Sequence, residues 1–287
     1  MWFCIPEKSG ISIPVGARLT IDQKRAGEMI KRQLQFYVAV IAVALAAGCA
    51  PEGPVAQDDI SRAESVVDSN SRPAADRNDD LMRKPANVLA FAAIKPGMTV
   101  FEIEAGEGYY TELFSALVGP DGAVIMQSPE SFDSFLADAI ESRLANNRLP
   151  NVRLTKTNFD ELDAADSSID IATWLLGPHE LYFTPNGGSS LGDVEKAYAE
   201  IFRILKPGGV LIILDHAAAL GSPETTGGAL HRIDPAIVKQ LAAGAGLMLI
   251  EESDVLRNPD DDYSMGVFDP AVRRKTDRFL LKYYKPE

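Results

Sequence analysis

Residues 99–110 read TVFEIEAGEGYY, and this stretch is the most informative part of the sequence about the fold. The apolar run from Val100 to Ile103 predicts a buried strand, which a Gly-x-Gly turn at Gly106 and Gly108 ends. An apolar helical stripe follows at once. Glycines at a strand-to-helix turn allow a ligand to approach the backbone closely. The stretch therefore predicts a ligand site at the first turn of a doubly wound α/β domain.

Three carboxylates crowd this turn, those of Glu102, Glu104 and Glu107. They would repel a pyrophosphate, and a dinucleotide site would need a third glycine where the chain has Thr111. A nucleoside that carries positive charge and no phosphate, such as S-adenosylmethionine, suits the acidic turn better. The charge pattern therefore favours such a cation over a dinucleotide.

The stretch resembles motif I of the class I S-adenosylmethionine-dependent methyltransferases, (Asp/Glu)-x-Gly-x-Gly-x-Gly. Glu102, Gly106 and Gly108 match this motif, whereas Glu104 stands where its first glycine is usual. The phrase RILKPGG at 203–209 is similar to one that recurs in the same class. The whole domain also resembles one group of bacterial predicted methyltransferases, many of which carry export signals. The resemblance implies S-adenosylmethionine as the cofactor.

Strands and helices alternate from residue 81 to residue 287, where we place a methyltransferase-like domain. The order predicts a Rossmann-like α/β fold, with a seven-stranded, mostly parallel sheet and helices on both faces. The predicted strands span 100–103, 123–127, 152–157, 169–175, 210–214, 247–251 and 279–284.

The resemblance implies a cofactor site beyond the carboxyl ends of the strands. Its cofactor-binding residues would be Glu102, Glu104, Ala105, Gly106, Gly108, Tyr110, Gln127, Phe159, Asp160 and Trp174. Gln127 replaces the usual acid near the ribose, although its amide oxygen can still accept a hydroxyl proton. Trp174 would border the transferred methyl group, or it is a plain core aromatic residue.

Candidate catalytic residues follow the carboxyl ends of strands four and five: His179, Asp215, His216 and His231. Methyl transfer to oxygen or nitrogen needs a bare lone pair on the acceptor, so one of these groups would serve as the base. Alternatively, they order the loops through hydrogen bonds. No tight ligand spacing is present along the chain, so we predict no metal site.

The net charge of −13 argues against nucleic acid as a partner, because phosphate binding needs a basic face. A small-molecule methyl acceptor fits better. The sequence thus predicts a methyltransferase of an unidentified small molecule. The alternative is a non-catalytic envelope lipoprotein with the same fold, which binds a ligand or a partner.

The N-terminal part has the layout of an export signal. Residues 1–28 show no sustained period, and we interpret Met29 as the true start. Residues 29–49 resemble a bacterial lipoprotein signal that ends at a lipidated Cys49. Its apolar stretch of 12 residues, 36–47, would span about 18 Å as a helix, against a bilayer core of about 30 Å. The alternative is an uncleaved anchor.

Two further segments carry predictions of their own. Residues 50–80 are rich in Pro, Ser, Asp, Asn and Arg, and they predict a disordered tether. The acidic stretch 258–274 predicts either a wall or lid at the site, or a solvated charge run. Lipidation would place the domain on the periplasmic side of the cell envelope. Because the expected cofactor is cytosolic, a cytoplasmic location is the alternative.

Overall fold

Seven strands form one sheet in the computed structural model, which describes residues 57–287 except for the side chain of Asn186. They are β1 (Thr99–Ile103), β2 (Ala123–Gln127), β3 (Val152–Thr155), β4 (Ile169–Leu175), β5 (Leu205–His216), β6 (Met248–Ser253) and β7 (Arg278–Tyr284). Their order is β3-β2-β1-β4-β5-β7-β6. Neighbours from β3 to β5 are parallel, whereas β7 is antiparallel to β5 and β6. The predicted sheet is confirmed.

Helices cover both faces of this sheet. They are α1 (Gln57–Val67), α2 (Ala74–Arg83), α3 (Pro85–Ala92), α4 (Tyr109–Val118), α5 (Asp133–Leu144), α6 (Val194–Ile204), α7 (Thr226–Leu230) and α8 (Pro235–Gly244). Successive residues of a strand point to opposite faces. Phe101 of β1 therefore joins a core with Tyr198 of α6, while Val100 joins a second core with Leu113 of α4. This double burial explains the nearly continuous apolar run in β1.

The predicted disordered tether over 50–80 is wrong for the part that the structure describes. Helix α1 buries Ala63 and packs Ile60 and Val66 against the core under α3 and α4. The Lys95 ammonium also pairs with Asp59 of α1. The folded domain therefore includes residues 57–80, ahead of the predicted boundary at 81.

Helix α2 has no buried residue and is held by polar contacts instead. The Arg72 guanidinium binds the Asp80 carboxylate at 2.8 Å, and the Tyr109 hydroxyl donates to the same carboxylate at 2.6 Å. Arg143 of α5 binds Asp76 at 2.7 Å. Composition alone suggested disorder because it does not show that these charges find partners across the fold.

Some sequence predictions concern residues that the structure leaves undescribed. The over-extended start at 1–28, the signal at 29–49 with its lipidated Cys49, and the first part of the tether at 50–56 all lie outside the described residues. Within 57–287, no helix combines the length and the apolar character that crossing a bilayer requires.

Candidate functional site

Two carboxyl groups at the carboxyl end of β1 point into the protein. Glu102 is 2% exposed, and its Oε2 accepts a 2.5 Å hydrogen bond from the Thr111 hydroxyl of α4. Glu104 adopts φ 54°, an unusual value for a residue with a side chain. Its Oε2 accepts a 3.1 Å hydrogen bond from the Trp174 indole N–H. These contacts fix both carboxyl groups at the carboxyl end of β1.

Gly177 makes room for the hydrogen bond between Glu104 and Trp174. A Cβ at this position would lie 2.1 Å from Oε2 of Glu104 and 2.2 Å from Nε1 of Trp174. A larger residue would therefore push apart the two partners of the hydrogen bond. The glycine is required by this close approach, since its own backbone φ of −134° is accessible to any residue.

A cavity of about 470 Å³ opens beyond the carboxyl ends of β1, β4 and β5. The predicted site residues that line it are Glu102, Glu104, Ala105, Gly106, Tyr110, His179 and His216. This position is the usual ligand crevice of an open parallel sheet. The structure therefore brings the acidic turn together with two of the three histidines.

Other predicted site residues do not line this cavity: Gly108, Gln127, Phe159, Asp160, Trp174, Asp215 and His231. Gln127 is fully buried, its Oε1 accepts from the Glu104 backbone N–H at 2.7 Å, and its Nε2 donates to the Thr157 carbonyl at 2.5 Å. Gln127 thus orders the acidic turn, a role that the sequence did not indicate.

The aromatic and glycine positions among these residues have structural contacts. The rings of Phe159 and Trp174 pack with centroids 5.1 Å apart inside the core. Asp160 accepts a 3.1 Å hydrogen bond from the Asp193 backbone N–H. Gly108 has φ 82°, and a Cβ there would lie 3.0 Å from the Arg143 side chain. Trp174 is thus a core aromatic residue that also orients Glu104.

Burial sets the charge of the acidic turn. It raises the pKa of Glu102 to about 8, against the lowering effects of Thr111 and Arg143. The pKa of Glu104 is also raised well above its ordinary value, first by burial and then by the nearby Glu180 carboxylate. Desolvation disfavours the charged form of a carboxyl group, whereas a nearby cation favours it. At neutral pH these shifts favour the neutral forms of Glu102 and Glu104, and a bound cation would favour their charged forms.

The carboxyl ends of β4 and β5 hold a second polar cluster. A 3₁₀ turn at Pro178–Tyr182 places His179 over Asp215, the penultimate residue of β5. The Nδ1 of His179 lies 2.7 Å from Oδ1 of Asp215, and the His179 backbone N–H donates to Oδ2 at 2.9 Å. Asp215 is completely buried and holds both the backbone and the ring of His179.

Glu180 joins two histidines in this cluster. Its Oε1 lies 3.2 Å from Nε2 of His179 and 3.0 Å from Nδ1 of His231. Burial opposes the charge on each group, but the pairing is stronger. The carboxylates of Asp215 and Glu180 raise the pKa of His179 to about 10, and the two histidines lower the pKa of Glu180 to about 2.

His216 differs from His179 in its charge. Its Nδ1 lies 2.6 Å from the Thr276 hydroxyl, and its ring borders the cavity. Burial and the positive charge of His179 hold the pKa of His216 well below the ordinary value. The imidazole of His216 is therefore neutral at physiological pH.

Two glycines bring His231 into contact with Glu180. A Cβ at Gly227 would lie 2.6 Å from the carbonyl oxygen of His179, and one at Gly228 would lie 2.4 Å from that of Tyr182. Helix α7 can therefore lie directly on the 3₁₀ turn. His231 follows this helix at φ 53°.

The outer wall of the cavity comes from α2, which the sequence did not assign to the site, and from the segment 258–274, for which a wall was one of two expectations. They contribute Asp76, Asp79 and Arg83 of α2, together with Val267, Phe268 and Arg274 of the loop before β7. The Arg274 guanidinium binds Asp79 at 2.7 Å and so joins the two segments. The i,i+4 pair of Asp79 and Arg83 is a local sign of a helix here.

The loop before β7 is anchored as well as exposed. Asp261 is buried, and its carboxylate binds the buried Arg232 guanidinium at 2.7 Å. Asp262 and Phe268 face the solvent, whereas Val267 is buried against the cavity. The segment 258–274 therefore combines the two alternatives that its sequence left open, a wall at the site and a solvated acidic edge.

The cavity fits the cofactor that the resemblance implies. A Cβ at Gly106 would meet no atom within 4 Å, so the backbone there is open to a ligand. The carboxyl groups of Glu102 and Glu104 on this wall suit a sulfonium and an ammonium group. Glu102, Glu104, Ala105 and Gly106 form the part of the cavity wall with this chemistry.

Comparisons with known proteins agree with this geometry. Residues 78–222 match the model of the ubiE/COQ5 methyltransferase family. The chain is 30% identical over 198 residues to the ubiquinone/menaquinone biosynthesis C-methyltransferase UbiE of Klebsiella pneumoniae, covering 66% of this chain and 72% of that protein. It is 27% identical over 193 residues to the enzyme of the same name from a Marinomonas species, with the same two shares covered.

Solved structures share the fold. A SAM-dependent methyltransferase from Aquifex aeolicus superposes with a TM-score of 0.52 at 19% identity, covering 79% of this chain and 98% of that one. Phosphoethanolamine N-methyltransferase 2 of Haemonchus contortus, solved in complex with S-adenosyl-L-methionine, gives a TM-score of 0.52 at 16% identity, over 79% and 57%. The chain thus belongs to the ubiE/COQ5 methyltransferase family and is an S-adenosylmethionine-dependent methyltransferase.

Proposed function

We propose that the chain methylates a ring carbon of a small hydroxylated aromatic molecule of the quinol type. Two relatives from the same family are named C-methyltransferases of quinone biosynthesis. The observation that carries the proposal is the neutral His216 imidazole on the wall of the cavity that the acidic turn also lines.

The acidic turn is the proposed cofactor end of the cavity. When bound, S-adenosylmethionine supplies an electrophilic methyl group on its sulfonium. Glu102 and Glu104 recognise its positive charges, and Gly106 lets its backbone approach. Gln127 and Trp174 hold Glu104 in place through the backbone and side-chain contacts described above.

His216 is the proposed base. Its Nδ1 is engaged by Thr276, which leaves Nε2 to accept a proton from the cavity. A ring carbon that has gained a methyl group carries a strongly acidic proton, so a weak base is sufficient to remove it. Of the other candidates, His179 already carries a proton at neutral pH, and Asp215 orients His179.

The remaining walls suit a flat, electron-rich acceptor. Leu136, Leu175, Leu176 and Val267 give apolar surface, and Arg83 and Arg274 stand on the same cavity. Apolar walls with a few convergent polar groups are typical of small-molecule sites. The arginines would stabilise an acceptor hydroxyl in its anionic form.

The test is a methyl-transfer assay with the full chain and labelled S-adenosylmethionine. Substituted hydroquinones and phenols serve as acceptors, with amines and alcohols of similar size for comparison. Mass spectrometry then distinguishes C-methyl from O-methyl and N-methyl products. We expect C-methylated arenes. Exclusive O- or N-methylation, or methyl transfer to none of the arenes, would refute the proposal.

The His216→Asn variant isolates the base. We expect kcat to fall about 100- to 10,000-fold, the usual contribution of a general base, with an unchanged Kd for S-adenosylmethionine. Phe135→Ser, a change at an exposed residue of α5, is the control and leaves kcat unchanged. Equal kcat values for His216→Asn and wild type would remove His216 from this role.

The location of the chain remains a proposal based on residues 29–49. Lipidation of Cys49 would anchor the domain to the cell envelope, whereas an unprocessed chain in the cytoplasm is the alternative. Mass measurement of the N-terminus after cell fractionation distinguishes them. A diacylglyceryl mass on Cys49 supports the anchor, and an intact N-terminus in the cytosolic fraction contradicts it.

Calorimetry with S-adenosylmethionine also tests the non-catalytic alternative, which predicts no heat at millimolar ligand.

A further inference from the structure

Three side chains with metal-ligating atoms converge beside the cavity, and two of them line it. They are His179 and Glu180 of the 3₁₀ turn after β4, and His231 after α7. Their ligand atoms all lie within 4.8 Å of one another. We propose that these residues bind a divalent first-row transition metal ion such as Zn²⁺ or Fe²⁺.

The donor set matches this class of ion. Two imidazoles and one carboxylate form the ligand set of catalytic His₂Glu zinc sites and of the facial triad of non-haem iron. Magnesium and calcium prefer oxygen ligands alone. The chemistry of His179, Glu180 and His231 therefore selects a transition metal.

Two of the three distances between the donors also fit. Two donors bound to one ion at about 2.0–2.2 Å lie about 2.8–3.6 Å apart at octahedral and tetrahedral angles. The Glu180 Oε1 lies 3.2 Å from Nε2 of His179 and 3.0 Å from Nδ1 of His231. Both separations fall within the range expected for ligands of a shared ion.

Glu180 has an unused oxygen at this position. The residue is 8% exposed, and its Oε2 is buried with no hydrogen-bond partner among the described residues. A buried carboxylate oxygen without a partner is costly. A cation bound by both carboxylate oxygens of Glu180 would satisfy Oε2, and this orphaned oxygen is independent of the distances between the three donors.

Asp215 provides the supporting contact that metal-bound histidines usually have. Its Oδ1 lies 2.7 Å from Nδ1 of His179, on the opposite side of the ring from Nε2. A carboxylate on the second ring nitrogen fixes the orientation and the tautomer of a metal-ligating histidine. With Nδ1–H directed at Asp215, binding of the ion would release the Nε2 proton of His179 to solvent, and the Nε2 lone pair would then bind the ion.

His231 is held towards the cluster despite an unfavourable backbone. Its φ of 53° lies in the left-handed region, which such a residue occupies at some energetic cost. The rings of Phe183 and Phe268 contact its imidazole, with centroids 4.8 Å and 4.9 Å away. This ring packing holds the imidazole with its Nδ1 3.0 Å from Oε1 of Glu180.

The ion would keep open positions on the cavity side. His179 and Glu180 both line the cavity, so three protein ligands leave room for an oxygen of a bound molecule. Holding the acceptor hydroxyl in this way would favour its deprotonation. This role rests on the proposed function, whereas metal binding itself does not.

The test measures metal content and affinity independently of activity. The full chain is stripped with a chelator and titrated with Zn²⁺, Fe²⁺ under anaerobic conditions, Co²⁺ and Mg²⁺ by calorimetry, and Co²⁺ binding is also followed by its visible absorption. We expect one equivalent of Zn²⁺ at micromolar affinity or tighter, with Mg²⁺ bound at least about 100-fold more weakly.

Variants assign the site. Glu180→Gln and His231→Gln should each weaken Zn²⁺ binding about 100-fold or more, and Asp215→Asn about 10- to 100-fold. His216→Asn is the matched control, because it removes a nearby imidazole outside the proposed ligand set and should keep the wild-type Zn²⁺ affinity. An unchanged Kd for S-adenosylmethionine shows that each variant is folded.

Two results would overturn the site. One is the absence of transition-metal binding to the wild type. The other is binding that persists unchanged in Glu180→Gln and His231→Gln, which would place the ion elsewhere. Zn²⁺ binding without arene C-methylation would refute the proposed function and leave the metal site standing, so the two failures are distinguishable.

Discussion

The carboxyl ends of β1 and of β4–β5 hold acidic groups in the same cavity, in opposite environments. At the end of β1, burial raises the pKa of Glu102 to about 8. At the end of β4, the pKa of Glu180 is lowered to about 2, because His179 and His231 outweigh burial. The opposite pKa shifts of Glu102 and Glu180 indicate that the neighbouring side chains, more than the depth of burial, determine which carboxyl groups are charged here.

This division gives the two ends different tasks. Neutral carboxyl groups at the end of β1 can gain charge when a cationic ligand arrives. The carboxylates at the end of β4 and β5 are already committed to histidines, and they order those rings. Environments that push the pKa values of similar groups apart are a common mark of functional sites.

We expect the largest loss of stability when the pair of Asp215 and His179 at the carboxyl ends of β4 and β5 is broken. Asp215→Ala removes the buried carboxylate that holds the ring and the backbone of His179. Because a buried charged partner is left behind, we expect the free energy of unfolding to fall by about 3–5 kcal/mol in urea denaturation. Asp215→Asn keeps the shape and should cost less. A loss below about 1 kcal/mol for Asp215→Ala would mean that the pair carries little weight.

The pH dependence of the free energy of unfolding tests the raised pKa of Glu102 at the carboxyl end of β1. Because the pKa of Glu102 is raised in the folded state, its contribution to stability is full below about pH 4.5 and is lost as the pH rises through about 8. The loss should approach about 1.4 kcal/mol per pH unit within this window. Urea denaturation at pH 6 and pH 8 measures it.

Glu102→Gln is the control for this pH dependence, because the amide keeps the shape of the neutral acid and cannot ionise. The variant should lose less stability between pH 6 and pH 8 than wild type. Parallel stability curves for the two proteins would show that Glu102 is not the group that titrates.

A smaller effect concerns ligand discrimination. Glu104→Gln removes a carboxyl group that would face the positive charge of S-adenosylmethionine. We expect the Kd of this variant for S-adenosylmethionine to rise about tenfold, which corresponds to the loss of one charge-assisted hydrogen bond. Calorimetry with S-adenosylhomocysteine, which lacks the sulfonium, should show a smaller change. An equal loss for both ligands would indicate a general distortion of the turn.

We expect the smallest change in the free energy of unfolding at an exposed ion pair away from the cavity. Lys239 and Glu252 form an exposed ion pair with a 2.7 Å contact. Lys239→Ala should change the free energy of unfolding by less than about 0.5 kcal/mol. A loss comparable to that of Asp215→Ala would remove the contrast between buried pairs and exposed ones.

The sequence predicts the sheet because apolar strands buried on both faces leave continuous runs such as the one at β1. It also predicts the acidic turn, whose glycines and carboxylates are adjacent in the chain. The helices before residue 81 were missed because the polar composition of α2 conceals its pairing with Arg143 and Tyr109. Local patterns do not show contacts of this kind.

The polar cluster was only partly predictable for the same reason. Glu180 and His231 lie 51 residues apart, and only the packing of α7 on the 3₁₀ turn brings them together. Gln127 was expected at the ribose because it ends β2, yet its amide is engaged by the acidic turn. Identifying such contacts requires the folded arrangement of loops from different parts of the chain.

Calorimetry of S-adenosylmethionine binding to the full chain tests whether the carboxyl groups at the end of β1 bind a cationic ligand. Titration at pH 7 in two buffers with different ionisation enthalpies gives both the Kd and the number of protons exchanged. We predict micromolar binding with net release of protons, because the cation ionises carboxyl groups at the end of β1. No heat at millimolar ligand, or binding with proton uptake, would contradict the account.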